Sequence, residues 1–167
     1  SGGACPAIGS QALDANTSGY SNSAVGSNSL SANTTASDNV AVGVNSLLSN
    51  TTGASNTAVG KNALLANTTA SYNTAMGDDA LLSNTTRHSN VALGAFALDA
   101  ATTANYNVAV GRNALGAATT GGHNTGIGND ALSSLTTGAG NTAVGSLCGD
   151  AITTGLKNTP SPYSTIR

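Results

Sequence analysis

The groups in this chain able to do chemistry are two histidines, seven acidic residues that are all Asp, two cysteines and a paired column of hydroxyl residues. His88 and His123 are 35 residues apart. In the repeat described below that is two coils, roughly 10 Å, too far to share one metal ion unless a second chain helps, so solvated loop histidines are expected. Asp78 and Asp79 are adjacent. Paired carboxylates can perform acid/base work, but neighbours in an extended segment point to opposite faces, which makes these a surface pair. Asp14, Asp99 and Asp150 share one repeat position in widely separated coils. No D-x-[DN]-x-[DN]-G calcium loop, P-loop or G-x-S-x-G elbow is present. The inventory argues against an enzyme, and no catalytic residue, cofactor or metal is expected.

Composition points the same way. Lys and Arg together number 5, the net charge is −2, aromatics are 3% and Trp is absent. A phosphate-binding surface needs clustered cations, so nucleic acid is excluded as a partner. A helical bundle normally carries a charged face, which this chain lacks. No apolar run approaches the roughly 20 residues that span a bilayer, so direct membrane insertion is not expected, and no signal peptide is visible.

What positions these residues is a repeat. Gly9, Gly26, Gly43, Gly60, Gly77, Gly94, Gly111, Gly128 and Gly145 follow one another at intervals of 17 residues with no insertion. With Asn56–Tyr72 as the unit and Asn56 as position 1, position 1 is Asn at 22, 39, 56, 73, 90, 107, 124, 141 and 158. Position 4 is aliphatic throughout, from Ile8 to Val144, and position 9 is Leu from Leu13 to Leu132, with Gly149 in the last unit. Position 13 is always Thr, position 14 is Thr or Ser, and positions 3, 8 and 11 are small.

So strict a period marks a stacked architecture in which no unit buries its own apolar face. A unit of 17 is too short for a helix pair, which needs more than about 30 residues. The expected fold is all-β, a parallel β-solenoid (β-roll) of nine coils. Each coil would carry a first strand through N-T-A-V, ended by the Gly, and a second through x-A-L-x-A before a Thr-Thr corner. At about 4.8 Å per coil the rod would be roughly 43 Å long. The expected division is a cap or linker at 1–6, the solenoid at 7–159 and a tail or intersubunit arm at 160–167, where Pro160 and Pro162 break strand pairing.

In such a rod Asn22, Asn39, Asn56, Asn73, Asn90, Asn107, Asn124 and Asn141 form a structural ladder, hydrogen-bonded up and down the column. Positions 4 and 9 supply the core. It is thin, and a second apolar surface buried between chains is expected.

Cys5 occupies position 1 of the incomplete first coil, and Cys148 lies in the last. About 40 Å would separate them, whereas a disulfide needs Cα atoms within about 7 Å. They are either small thiols at the two ends or intersubunit cross-links, around an axis or end to end, which would imply an oxidising setting. The adjacent Thr pair reads as a structural corner more than as the Thr-x-Thr array of an ice-binding face. Asn16, Asn33, Asn50, Asn67 and Asn84 begin N-x-S/T triplets that the repeat generates automatically. Tyr72 and Tyr106 share position 17 on the turn edge, where they are either isolated surface residues or contacts for a glycan or protein receptor.

The segments NTAVGKNAL (56–64), NVAVGVNSL (39–47) and NVAVGRNAL (107–115) resemble the head repeats of trimeric (YadA-like) autotransporter adhesins, and more closely the NTAVGxNAL…NTTG repeats of phage tail fibres. The resemblance covers residues 7–159. It implies a left-handed parallel β-roll, three chains about a common axis, and a surface-exposed adhesive or spacer role. The unit here is longer than the usual adhesin head repeat, and neither a heptad stalk nor a membrane anchor is visible. The expectation is an extracellular fibre or adhesin-head module on a cell surface, virion or filament, self-associating as a homotrimer. The alternatives are a subunit of a head-to-tail extracellular filament and an ice-binding solenoid.

Overall fold

A computed structural model describes residues 4–160. The first three residues and 161–167, with most of the expected C-terminal tail, lie outside the described residues. Nine strands form one parallel sheet in sequence order: β1 (Ala7–Ile8), β2 (Ser23–Val25), β3 (Val40–Val42), β4 (Thr57–Val59), β5 (Thr74–Met76), β6 (Val91–Leu93), β7 (Val108–Val110), β8 (Thr125–Ile127) and β9 (Thr142–Val144). The register never slips, so like stacks on like: Thr57 opposes Thr74, Ala58 opposes Ala75 and Val59 opposes Met76. The chain is a β-solenoid, with each coil numbered here by its strand. No helix forms among the described residues.

One strand per coil is found, not two. The expected second strand, x-A-L-x-A, is a run of turns. In the fourth coil Asn62 and Leu64 have φ of 56° and 53°, and the same two positions are left-handed from Gln11 and Leu13 to Asp130 and Leu132. The physical reason is burial. Ala63 and Leu64 are both fully buried, and an extended strand cannot turn two successive side chains to one side. The backbone therefore leaves the strand conformation at each of these residues. A left-handed Leu costs roughly 1–2 kcal/mol, and burying it returns roughly 1.5–3 kcal/mol. The last coil meets the same turn with Gly149, at φ 67°. Inter-coil hydrogen bonds continue through the turns: the Leu64 N–H donates to Ala80 O (3.0 Å) and the Ala66 N–H to Leu82 O (3.1 Å).

The core also differs from expectation. It is built on position 3 Ala, the position 8 residue and position 9 Leu, exemplified by Ala58, Ala63 and Leu64, and is joined in later coils by Ala101, Ala118 and Leu135 at position 12. The position 4 aliphatics lie outside it. Strand alternation sends position 3 inward and positions 2 and 4 outward, so Ile8 is 66% exposed, Met76 44% and Val144 54%.

At the C-terminal end Asn158, Thr159 and Pro160 begin a tenth coil, so Pro160, expected to open the tail, packs with the solenoid. The Asn158 carbonyl accepts from the Thr142 N–H (2.8 Å). Pro160 stands at the position 3 site, buried. Lacking an N–H, it cannot donate the bond that position 3 makes elsewhere, such as Ala24 N–H to Pro6 O at 2.9 Å. The proline thus packs as the next core residue while stopping the ladder.

Candidate functional site

Side-chain ladders determine which columns are structural and which remain available to a partner. The Asn at position 1 is buried in coils 2 to 9. Asn39 Oδ1 accepts from the Asn56 N–H (3.0 Å), and Asn56 Nδ2 crosses the turn to donate to Ala70 O (2.8 Å). Each Asn thus ties its own coil closed and holds the next. Cys5 takes this place in coil 1, where its Sγ accepts from the Asn22 N–H at 3.4 Å and donates to Gly19 O at 3.5 Å. Both cysteines are free thiols; Cys148 is buried and its Sγ donates to Pro160 O at 3.1 Å.

Two further Asn columns run in opposite senses. At position 7 each Nδ2 donates forward, from Asn28 to Asn45, Asn45 to Asn62 and Asn62 to Asp79, the last at 2.9 Å. Asp79, which only accepts, closes that run before Phe96, and Asp130 closes the pair begun by Asn113. Asp79→Ala is expected to leave Asn62 Nδ2 without its acceptor and to cost about 1 kcal/mol, read from the urea midpoint, while Asp79→Asn preserves the contact. At position 12 the donors point backward, from Asn84 to Asn67, Asn67 to Asn50 and Asn50 to Asn33. This run ends where Ala101 succeeds Asn84, and Asn84 Oδ1 is left buried without a partner. Asn33, Asn50, Asn67 and Asn84 are buried, so these triplets are closed to a glycosyl donor in the folded rod.

Most of the position 13 hydroxyls are also committed. Thr51 Oγ1 donates to Thr68 O (3.0 Å) and Thr136 Oγ1 to Thr153 O (3.0 Å). Position 14, from Ser18 to Thr154, is exposed in every coil. The aspartates do not converge. Asp78 is exposed and Asp79 half-buried, while Asp99, in the column shared with Asp14 and Asp150, has its pKa raised chiefly by desolvation. Backbone hydrogen bonds at Ala100 and Asp99 oppose that rise, and the Asp79 charge adds to it.

Two surfaces remain. The first is the outer face of the sheet, a pair of columns in which position 2 varies among Val, Thr and Ser and position 4 is aliphatic throughout. The second is the turn edge. Tyr72 and Tyr106 are exposed there, 68% and 53%. Tyr106 stacks on His123 with ring centres 4.9 Å apart and planes 20° from parallel. Tyr106 and His123 both stand at position 17, one coil apart, the sequence signal that could have joined a residue read as a receptor contact to one read as a solvated loop histidine. His88 lies one position earlier, exposed, its N–H donating to Asn105 Oδ1 at 3.1 Å. No group of three or more metal-ligating residues converges among the described residues. No protein-family model matches the chain, and no curated protein or solved structure shows significant similarity to it.

Proposed function

We propose that the chain is a rigid, self-associating fibre or adhesin-head module that works outside the cell, with the outer sheet face as its assembly surface. The observation that carries this reading is the column of position 4 aliphatics, turned outward on the sheet over roughly 43 Å, with only Val59, Leu93 and Val110 half-buried. Ile8, Val25, Val42, Met76, Ile127 and Val144 are each at least 37% exposed. A continuous apolar strip of this kind is unusual on a monomer and is the mark of an interface. The thin Ala-and-Leu core gives a physical reason to bury more apolar surface between chains. The adhesin and tail-fibre resemblance favours three copies about an axis along the rod.

Light scattering tests it. A mass three times that of the 16.0 kDa chain is expected at micromolar concentration, and Val59→Asp with Val110→Asp is expected to yield monomers with an unchanged far-UV spectrum. Each introduced carboxylate would meet apolar surface in the interface, a burial that costs several kcal/mol. A wild-type monomer, or a trimer indifferent to both aspartates, would overturn the reading. Long polymers that dissolve in reductant would shift it to the head-to-tail filament, and thermal hysteresis to ice binding.

A further inference from the structure

We propose that the seam between coils 5 and 6 is a corner poised to open along the turn edge, with Arg87 as its wedge, while the sheet behind it stays paired. At every other seam from coil 1 to coil 9 the position 13 N–H and hydroxyl both donate to the position 13 carbonyl of the next coil. The position 17 N–H likewise donates to the position 16 carbonyl of the coil before. Thr68, for example, donates to Thr85 O from its N–H (2.9 Å) and from its Oγ1 (3.1 Å). The Tyr72 N–H reaches Ala54 O and the His123 N–H reaches Asn105 O, both at 3.1 Å. Between coils 5 and 6 all three contacts are lost. Neither the N–H nor the Oγ1 of Thr85 bonds Thr102 O, and the Tyr106 N–H does not bond His88 O. The two buried side-chain atoms without a partner among the described residues, Asn84 Oδ1 and Arg87 Nε, both belong to this corner.

The sequence supplies the cause. Position 15 is Gly or Ala in the other coils, from Gly19 to Gly155, and Arg87 in the fifth. The site is tight, since a Cβ built on Gly19 or Gly53 would overlap the Ala36 or Ala70 carbonyl oxygen of the next coil. Ala101 meanwhile removes the amide that would donate to Asn84 Oδ1, as Asn84 Nδ2 does to Asn67 Oδ1 at 3.0 Å. The other side of the seam is intact: Thr74, Ala75 and Met76 pair with Val91, Ala92 and Leu93, and the Leu81 N–H donates to Ala97 O at 3.0 Å. The sheet is therefore the pin of a hinge. The rod keeps its axis while the corner at 84–88 lifts from 101–106. Local opening starts where backbone bonds are fewest, and each seam of a solenoid is a separate interface, so this opening stays within one corner.

The corner lies within one chain and is measured independently of assembly. Amide hydrogen exchange of the full chain, resolved by NMR, is expected to be at least 10-fold faster at Thr85 and Tyr106 than at Thr68 and Tyr72. Thr74 and Gly94, whose N–H bonds cross the same seam on the sheet side at 2.9 and 2.7 Å, should stay as protected as Thr57 and Gly77 one seam earlier. Arg87→Ala, the residue that coils 2, 4 and 6 carry at this position, should let the corner close and slow Thr85 exchange at least 5-fold with an unchanged far-UV spectrum. Ala101→Asn, which returns a donor to Asn84 Oδ1, should slow it too. A wild-type Thr85 as protected as Thr68, an opening that also releases Thr74 and Gly94, or Thr85 exchange that neither substitution slows would overturn the proposal.

Discussion

Gly77→Ala is expected to break the rod at its middle. Gly77 has φ of +142°, a region L side chains rarely adopt, and a Cβ built on it would lie 2.5 Å from both C and O of Gly94. Those are backbone atoms of the next coil, so no side-chain rotation relieves the overlap. The neighbouring coil must part from its ladder instead, where the Gly94 N–H donates to Met76 O at 2.7 Å. Left-handed strain and the lost inter-coil bonds together should cost about 3–5 kcal/mol, seen as a lowered urea midpoint and as faster amide exchange concentrated in coils 5 and 6. Gly126→Ala is the contrast. Position 3 is Ala in the other strands, and the new Cβ would lie 3.2 Å from both Ala131 O and Leu115 Cγ, contacts that a shift of a few tenths of an ångström accommodates. Less than about 1 kcal/mol of change is expected there, since the overlap is offset by the reduced freedom of the unfolded chain. Equal losses at the two sites would refute this account of the repeated glycine.

Asn90→Ala should be nearly as damaging, by removal of partners and not by crowding. Asn90 Oδ1 accepts from the Asn107 N–H at 3.0 Å, and Asn90 Nδ2 donates to Ala104 O at 2.9 Å. Truncation leaves that N–H and that carbonyl unpaired in a buried site, at about 1–3 kcal/mol each, so about 2–5 kcal/mol should be lost in urea unfolding. Asn90→Asp separates the two contacts. Its carboxylate can still accept from Asn107 but faces the Ala104 carbonyl acceptor to acceptor, and the charge is buried without a cation. Burial raises the folded-state pKa of the introduced carboxyl above its unfolded value of about 3.9. The variant is therefore least stable at neutral pH and recovers as pH falls through that folded-state value, where protonation restores a donor toward Ala104. A flat stability profile between pH 4 and pH 7 would contradict this geometry.

These two columns show why so much of the molecule is legible in one dimension. A solenoid coil meets only its neighbours, so a period of 17 without insertion fixes which residues stack. Recurrent Asn and Gly mark places where one residue type satisfies a repeated backbone demand. The substitution of Cys5 for Asn at the first coil is readable on the same terms, since a thiol sulfur can also accept the next N–H.

The turn edge was only partly legible. Tyr72 and Tyr106 announced themselves by type and position. The stack of Tyr106 on His123 did not, because the period brings the two residues to neighbouring coils but does not say that their rings turn face to face. The two Asn runs at positions 7 and 12 look alike as sequence. Only the direction in which their amides point separates a run closed by Asp79 from one that leaves Asn84 Oδ1 unpaired.

The sequence by itself determined the solenoid, its in-register parallel stacking, the buried polar ladder and the absence of clustered cations, because each follows from a strict period or from composition. The tertiary structure decided what faces where. Adjacent Ala63 and Leu64 are both buried only by left-handed turns that abolish a second strand. Strand alternation then places Ala58 inside and turns Thr57 and Val59 outward. An aliphatic residue at position 4 has the same hydrophobicity in a core as on an interface; the pleat of the strand, not its composition, sends it to the surface.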